Sequence, residues 1–285
     1  MDNVGKIVKT IREEKNIKIE SIRTEVMDRG NYWRFENGTV STSADKFLAI
    51  LENLNIDINE FIELYSTEEM TVFKKMKSDL LKAAKIDDYQ LCREIGTLAK
   101  KKYEDSKKIK YLHLSEQAFL FASRIETNIT HSIHAYTPTE IQKYLGQCDT
   151  WNYYEIALFN NILFTFQIDD AVLLGNRLIK SLKKKQKTRY ISNEDVLILI
   201  NLISYCIEEN ANSLAEKLLK NLLTLNISES STYSRIMFLW IKTIFNIKFR
   251  QENKQELDKI YDTLKVLEMS ETLVMIEAWG KKLLQ

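Results

Sequence analysis

One proline and seven glycines among 285 residues leave almost no material for tight turns, bulged strands or phosphate-cradling glycine loops. A chain so composed must be helical nearly throughout, and the question becomes how its helices are grouped. Hydrophobic residues make up 45% of the sequence, enough for one large core or two smaller ones, so an ordered protein is expected.

Residues 1–65 read as five short helices. Val4, Ile7, Val8 and Ile11 recur at helical spacing and make the first; Ile19, Ile22 and Val26 make the second. The third is the stretch M-D-R-G-N-Y-W-R-F-E-N-G at 27–38. Asp28 caps a helix starting at Arg29, Tyr32 and Phe35 share an inward face, and Asn37 with Gly38 ends it after two turns. Phe47, Leu48, Leu51 and Leu54 mark a fourth helix behind a Ser43 N-cap, and Ile58, Phe61 and Ile62 a fifth. This grouping matches a helix-turn-helix headpiece whose third helix reads DNA.

The third helix leaves Arg29, Asn31 and Arg34 pointing outward. Arginine reads guanine in bidentate fashion, asparagine reads adenine, and either binds phosphate. Arg12 closes the first helix on its polar face, three residues after Lys9, where a helix crossing the DNA backbone needs cations. Motifs of this kind usually carry a small residue before the turn and often glycine within it; here those places hold Arg23 and Val26.

Charge restrains the DNA reading. The whole chain carries a net +1, and the eight cations of residues 1–34 exceed the carboxylates there by only two. Asp45, Glu52, Asp57, Glu60 and Glu63 then turn residues 1–65 acidic. Binding must therefore depend on where the cations sit and on doubling the footprint in a dimer. Cys92, Cys148 and Cys206 are scattered without C-x-x-C spacing, which favours a reducing compartment. Residues 1–18 are charged throughout, and no run of about 18 apolar residues occurs, so a cytoplasmic protein without membrane contact is expected.

Beyond Tyr65 the helices lengthen. Ser66 or Thr67 caps a connector helix containing Met70, Phe73, Met76, Leu80 and Leu81. A series of helix pairs follows, at 88–102, 109–126, 137–148, 153–166, 169–184, 193–208, 211–223, 230–249, 255–267 and 272–284. Starts at 153, 193 and 230 lie roughly 40 residues apart, a spacing typical of helical repeats that stack around a concave binding face. The expected fold is all-α: a five-helix helix-turn-helix domain over 1–65, a connector over 66–86, and a right-handed TPR-like solenoid over 87–285. Trp240 and Trp279, with Leu283 and Leu284, are placed to pack at its closing end, where an apolar terminal helix either seals the array or binds a second subunit.

Within these apolar helices a few polar residues stand out. Asn160 and Asn161 follow W-N-Y-Y-E-I-A-L-F, Asn201 interrupts V-L-I-L-I-N-L-I-S-Y, and Arg235 precedes I-M-F-L-W. Asn161 shares a helix face with Phe164, Asn201 with Tyr205, and Arg235 with Phe238. Asparagine donates and accepts at once, so these pairs suit the backbone amides and side chains of an extended peptide; capping or internal packing is the alternative. Other features carry less. The basic run Lys183, Lys184, Lys185, Lys187 and Arg189 lacks interleaved aromatic residues and reads as a solvated loop. His131 and His134 stand three apart without the further donors that a metal site needs. No nucleotide-binding, zinc-protease or serine-nucleophile motif is present, so neither an enzyme nor a bound cofactor is expected.

The order of these parts resembles the Rgg family of cytoplasmic transcriptional regulators, within the wider group of peptide-pheromone receptors of low-GC Gram-positive bacteria. The resemblance spans nearly the whole chain. It rests on G-K-I-V-K-T-I-R at 5–12, R-F-E-N-G at 34–38, L-N-I-D-I-N-E-F at 54–61 and W-N-Y-Y-E-I at 151–156. It implies a homodimer whose paired headpieces bind double-stranded promoter DNA and whose repeat domain receives a short linear signalling peptide. By the same resemblance, Arg12 falls on an arginine associated with DNA binding, and Asn161 and Asn201 on groove positions suited to peptide backbone. Phe164 stands where relatives carry arginine, and V-S-T-S-A-D at 40–45 lacks the cysteine that joins subunits in some relatives, so a disulfide-linked headpiece pair is not expected. Two other classes fit the same sequence: an interaction protein that grips a folded partner, and a regulator that senses a small molecule or pH.

Overall fold

The computed structural model describes residues 4–22, 27–65, 68–130, 136–185, 193–225 and 227–285. The chain divides into two compact units, Met1–Ile86 and Asp87–Gln285. Among the described residues the first unit holds α1 (Val4–Glu14), a 3-10 turn (Ile19–Ser21), α2 (Arg29–Glu36), α3 (Ala44–Asn53), α4 (Ile58–Leu64) and α5 (Glu68–Lys85). The second of the five expected headpiece helices is thus represented by the 3-10 turn, while Arg23 and Val26 lie outside the described residues. The capping residues Ser66 and Thr67 also fall outside them.

Local chemistry sets the headpiece elements. The Asp28 carboxylate accepts from the N–H groups of Gly30 and Asn31, and Ser43 Oγ accepts from Lys46 N–H. Asp57 and Glu60 cap α4 reciprocally. Gly38, at φ 73°, ends the turn after α2. Val8, Ile11, Ile22, Tyr32, Phe35, Ile50, Leu51, Leu54 and Phe61 form one buried cluster, so α1, α2, α3 and α4 share a core.

The second unit runs α6 (Tyr89–Ser106), α7 (Ile109–Thr130), α8 (Thr139–Gln147), α9 (Tyr153–Ile162), a 3-10 turn (Leu163–Thr165), α10 (Ile168–Lys185), α11 (Asn193–Glu208), α12 (Asn212–Leu223), α13 (Thr232–Arg250), α14 (Gln255–Val266) and α15 (Ser270–Leu284). Helices α7, α9, α11, α13 and α15 adjoin one another in succession, with even-numbered helices packed beside them, the layering of a TPR-like array. Trp151, Phe159, Trp240 and Phe245 are fully buried in its core. Trp240 and Trp279 pack at a centroid distance of 4.8 Å where α13 meets α15.

With so few glycines, helices end on left-handed residues of other types: Asn16, Asn55, Asp87, Lys107, Asn210, Gln251 and Glu268 all have φ between 50° and 57°. No helix among the described residues is long and apolar enough to cross a membrane.

Candidate functional site

The outward face of α2 carries a short chain of polar contacts. Asn31 Nδ2 donates to the Asp28 carboxylate, and Asn31 Oδ1 accepts from Arg34 at 2.6 Å. The Asn31 backbone N–H, followed by its side chain, holds the Asp28 carboxyl below the usual carboxylate range. Asn31 is half-buried, whereas Arg29 and Arg34 are exposed. Arg29 pairs with Glu20 at 3.1 Å, an exposed contact that competes weakly with phosphate. Trp33 stands on the same helix with 56% of its surface exposed. It is legible as the residue four after Arg29, one turn along the outward face.

Arg12 requires a correction. The spacing of α1 puts it on the polar face, yet the side chain turns inward and only 8% of the residue is exposed. Its Nε donates to Glu36 Oε1 at 2.6 Å, one terminal nitrogen to Glu36 Oε2 at 2.9 Å and the other to the Ile17 carbonyl at 3.1 Å. Glu36, 1% exposed, ends α2, so this bidentate pair ties α1 to α2. The Glu36 hydrogen bond is the main reason the guanidinium pKa is raised. Lys15 is also committed, donating to the Leu54 and Asn55 carbonyls at the end of α3. Lys9 is half-buried on α1.

In the helical array, four of the six residues singled out for peptide binding fall along one strip. Asn161 Nδ2 on α9 donates to Gln117 Oε1 on α7 at 2.7 Å. One residue earlier, Asn160 Oδ1 accepts from Asn201 Nδ2 on α11 at 2.6 Å. Side-chain amides thereby bridge three successive helices. Tyr205, one turn beyond Asn201, donates to the Phe166 carbonyl at 2.8 Å. Phe164, in the 3-10 turn after α9, lies under the guanidinium of Arg124, whose central carbon is 4.2 Å from the ring centroid. Gln117, Asn160 and Arg124 complete the strip as partners of the predicted residues. Asn160 is visible in the sequence as a polar interruption, but the other two are ordinary residues of an amphipathic helix until its neighbour is in place.

Arg235 and Phe238 are placed differently. The exposed Arg235 donates to the Ile227 and Ser228 carbonyls in the segment before its own helix. Phe238 lines a cleft of about 130 Å³ between α12 and α13, with Glu216, Leu223, Lys242 and Arg250 among its walls.

W-N-Y-Y-E-I is built into the structure of the array. Trp151 is buried against Phe159. Glu155 accepts from Asn152 N–H at 2.8 Å and from Tyr144 Oη at 2.7 Å, fixing the start of α9. Tyr154 Oη lies 2.8 Å from His113 Nδ1. Burial pushes the His113 pKa down to about 4, opposed by Glu155, so the ring is neutral at physiological pH. Buried Glu116 accepts from the first N–H groups of α8, at Glu140 and Ile141. Burial pushes the Cys92 and Cys206 thiols up to about 11 and 12, which makes them poor nucleophiles.

His131 and His134 lie outside the described residues, as do Lys187 and Arg189 of the basic run. Lys183 and Lys184 are exposed at the end of α10. Among the described residues, no cluster of three or more His, Cys, Asp or Glu side chains is positioned to hold a metal ion.

A family model described as the C-terminal domain of the HTH-type transcriptional regulator Rgg matches residues 97–278. The fold is similar to that of a cysteine-to-serine variant of the SHP pheromone receptor Rgg2 from Streptococcus dysgalactiae, with a TM-score of 0.80 and 20% identity over 99% of each chain. It is also similar to PrgX in its complex with cCF10, with a TM-score of 0.71 and 13% identity over 99% of this chain and 92% of that one. A bacterial peptide pheromone/receptor complex aligns with a TM-score of 0.70 and 13% identity over 99% of each chain. The structural matches establish a shared fold, and the family match, covering more than half of the sequence, establishes kinship: the chain belongs to the Rgg family of HTH-type transcriptional regulators.

Proposed function

We propose that this regulator binds promoter DNA as a homodimer and is controlled by a short linear peptide received along the strip formed by Gln117, Asn160, Asn161, Asn201 and Tyr205. The observation that carries this reading is the amide ladder across α7, α9 and α11. The half-buried amides of Asn160, Asn161 and Asn201 can exchange their bonds for a peptide's N–H and C=O groups, while the buried Gln117, whose nitrogen donates to the His113 carbonyl, backs Asn161 from behind. The likeness to a pheromone receptor and to a peptide pheromone/receptor complex supports the same ligand class.

For DNA, Arg29, Asn31 and Arg34 read base edges or phosphates, and Lys9 contacts the backbone. Arg12 acts through Glu36 by holding the recognition helix in place. An apolar cleft of about 740 Å³ lined by Phe35, Val40, Phe47, Phe61, Ile62 and Tyr65 supports pairing of the headpiece with a second copy.

The test is a mobility-shift titration on the chain's own upstream region, with and without synthetic hydrophobic peptides encoded beside the gene. Arg34→Ala should weaken DNA binding about tenfold or more. Asn161→Ala combined with Asn201→Ala should leave DNA binding intact and remove the peptide response. A double variant that still responds would place the peptide elsewhere.

A further inference from the structure

Arg124 lies seven residues after Gln117 on α7, on the same face and about 10 Å further along the helix. Its guanidinium rests on the Phe164 ring, three residues beyond Asn161. The residue is exposed, and no described residue takes a hydrogen bond or ion pair from it. Glu126, the nearest carboxylate along the chain, is bonded to Arg93. The arrangement therefore combines a cation held over an aromatic face with N–H donors that bond no described residue, beside the amide ladder.

A guanidinium over a ring makes its attraction through the ring face and leaves its N–H groups to other partners, and the guanidinium fork matches a carboxylate in bidentate geometry. Contact with the ring also reduces the rotamer freedom lost when a ligand is bound. A separation of about 10 Å corresponds to roughly three residues of extended peptide.

Building on the peptide reading above, we infer that Arg124, positioned by Phe164, is a specificity-determining residue that receives a carboxylate of the bound peptide, about three residues from the segment held by the amide ladder. The carboxylate is either the peptide's free C-terminus or an Asp or Glu side chain. Ligands without an anionic group at this place should be discriminated against.

Four synthetic pools of random octapeptides separate the sources: free or amidated at the C-terminus, each made with or without Asp and Glu. Each pool is incubated with the full-length protein, and retained peptides are recovered by size exclusion and identified by mass spectrometry. Retention should fall about tenfold or more in the amidated pool lacking Asp and Glu. Loss on amidation alone identifies the terminal carboxylate; loss on omitting Asp and Glu identifies a side chain. Arg124→Gln should abolish the preference while leaving thermal unfolding unchanged, and Arg124→Lys should retain part of it. Retention with no preference for an anionic group, or a preference that survives Arg124→Gln, overturns the role of Arg124 alone. If no pool is retained, or if Asn161→Ala with Asn201→Ala does not lower retention, the peptide-strip reading falls and this inference with it.

Discussion

Arg12 and Glu36 form the most consequential polar contact in the headpiece, because both are buried and each satisfies the other. Removing either partner alone leaves an uncompensated charge, a change that costs about 3–5 kcal/mol in comparable pairs. Such a loss is a large part of a small domain's stability. Arg12→Ala should therefore abolish DNA binding by loosening α2, whether or not the arginine ever touches phosphate. The informative variant is the double one, Arg12→Met with Glu36→Leu, which replaces the pair by apolar volume. It should restore thermal stability to near the starting level and recover DNA affinity in a mobility-shift titration. A folded double variant that cannot bind DNA would instead assign Arg12 a direct phosphate contact. The inward turn was not legible in the sequence: spacing along α1 reports which face a residue occupies, but not that a carboxylate 24 residues away turns inward to meet it.

At the level of elements, shortage of glycine shapes the array as much as its hydrophobic pattern does. Gln251 after α13 and Glu268 after α14 adopt φ of 57° and 55°, a conformation that costs an L-residue with a Cβ roughly 1–2 kcal/mol. Glycine removes that cost but adds chain entropy to the unfolded state, an offset of about 0.4–1 kcal/mol. Gln251→Gly and Glu268→Gly should each raise stability by about 0.5–1 kcal/mol in denaturant unfolding, and the two gains should add because the sites are separate. A loss of stability in either would mean that the side chain carries a contact worth more than the backbone strain. The helices themselves were largely legible, since an apolar stripe with polar caps specifies an element locally: the expected 193–208 and the observed Asn193–Glu208 coincide. The strip was legible only in halves. Asn161 and Asn201 stand out as polar residues in apolar helices, whereas Gln117 and Arg124 gain meaning only when α9 brings Asn161 and Phe164 against them.

For the whole molecule, the limiting quantity is the number of cations that can reach DNA. Residues 1–65 carry nine cations against twelve carboxylates, while Arg12 and Lys15 are committed to internal contacts. Of the seven others, Lys9, Arg29 and Arg34 are the three proposed for DNA, being those on α1 and α2 assigned to that face. Each phosphate neutralised releases counterions, so log affinity should fall against log salt with a slope of about −3 for a single headpiece and about −5 for a pair. This is shallow for a DNA-binding protein, and it makes pairing necessary for useful affinity at physiological salt. Measuring affinity between about 50 and 200 mM salt, together with the number of chains per DNA, tests the assignment. A slope near −3 with one chain bound would remove the need for a dimer. A slope approaching −10 would require a larger basic surface, and the exposed end of α10 at Lys183 and Lys184 would then be the next place to substitute.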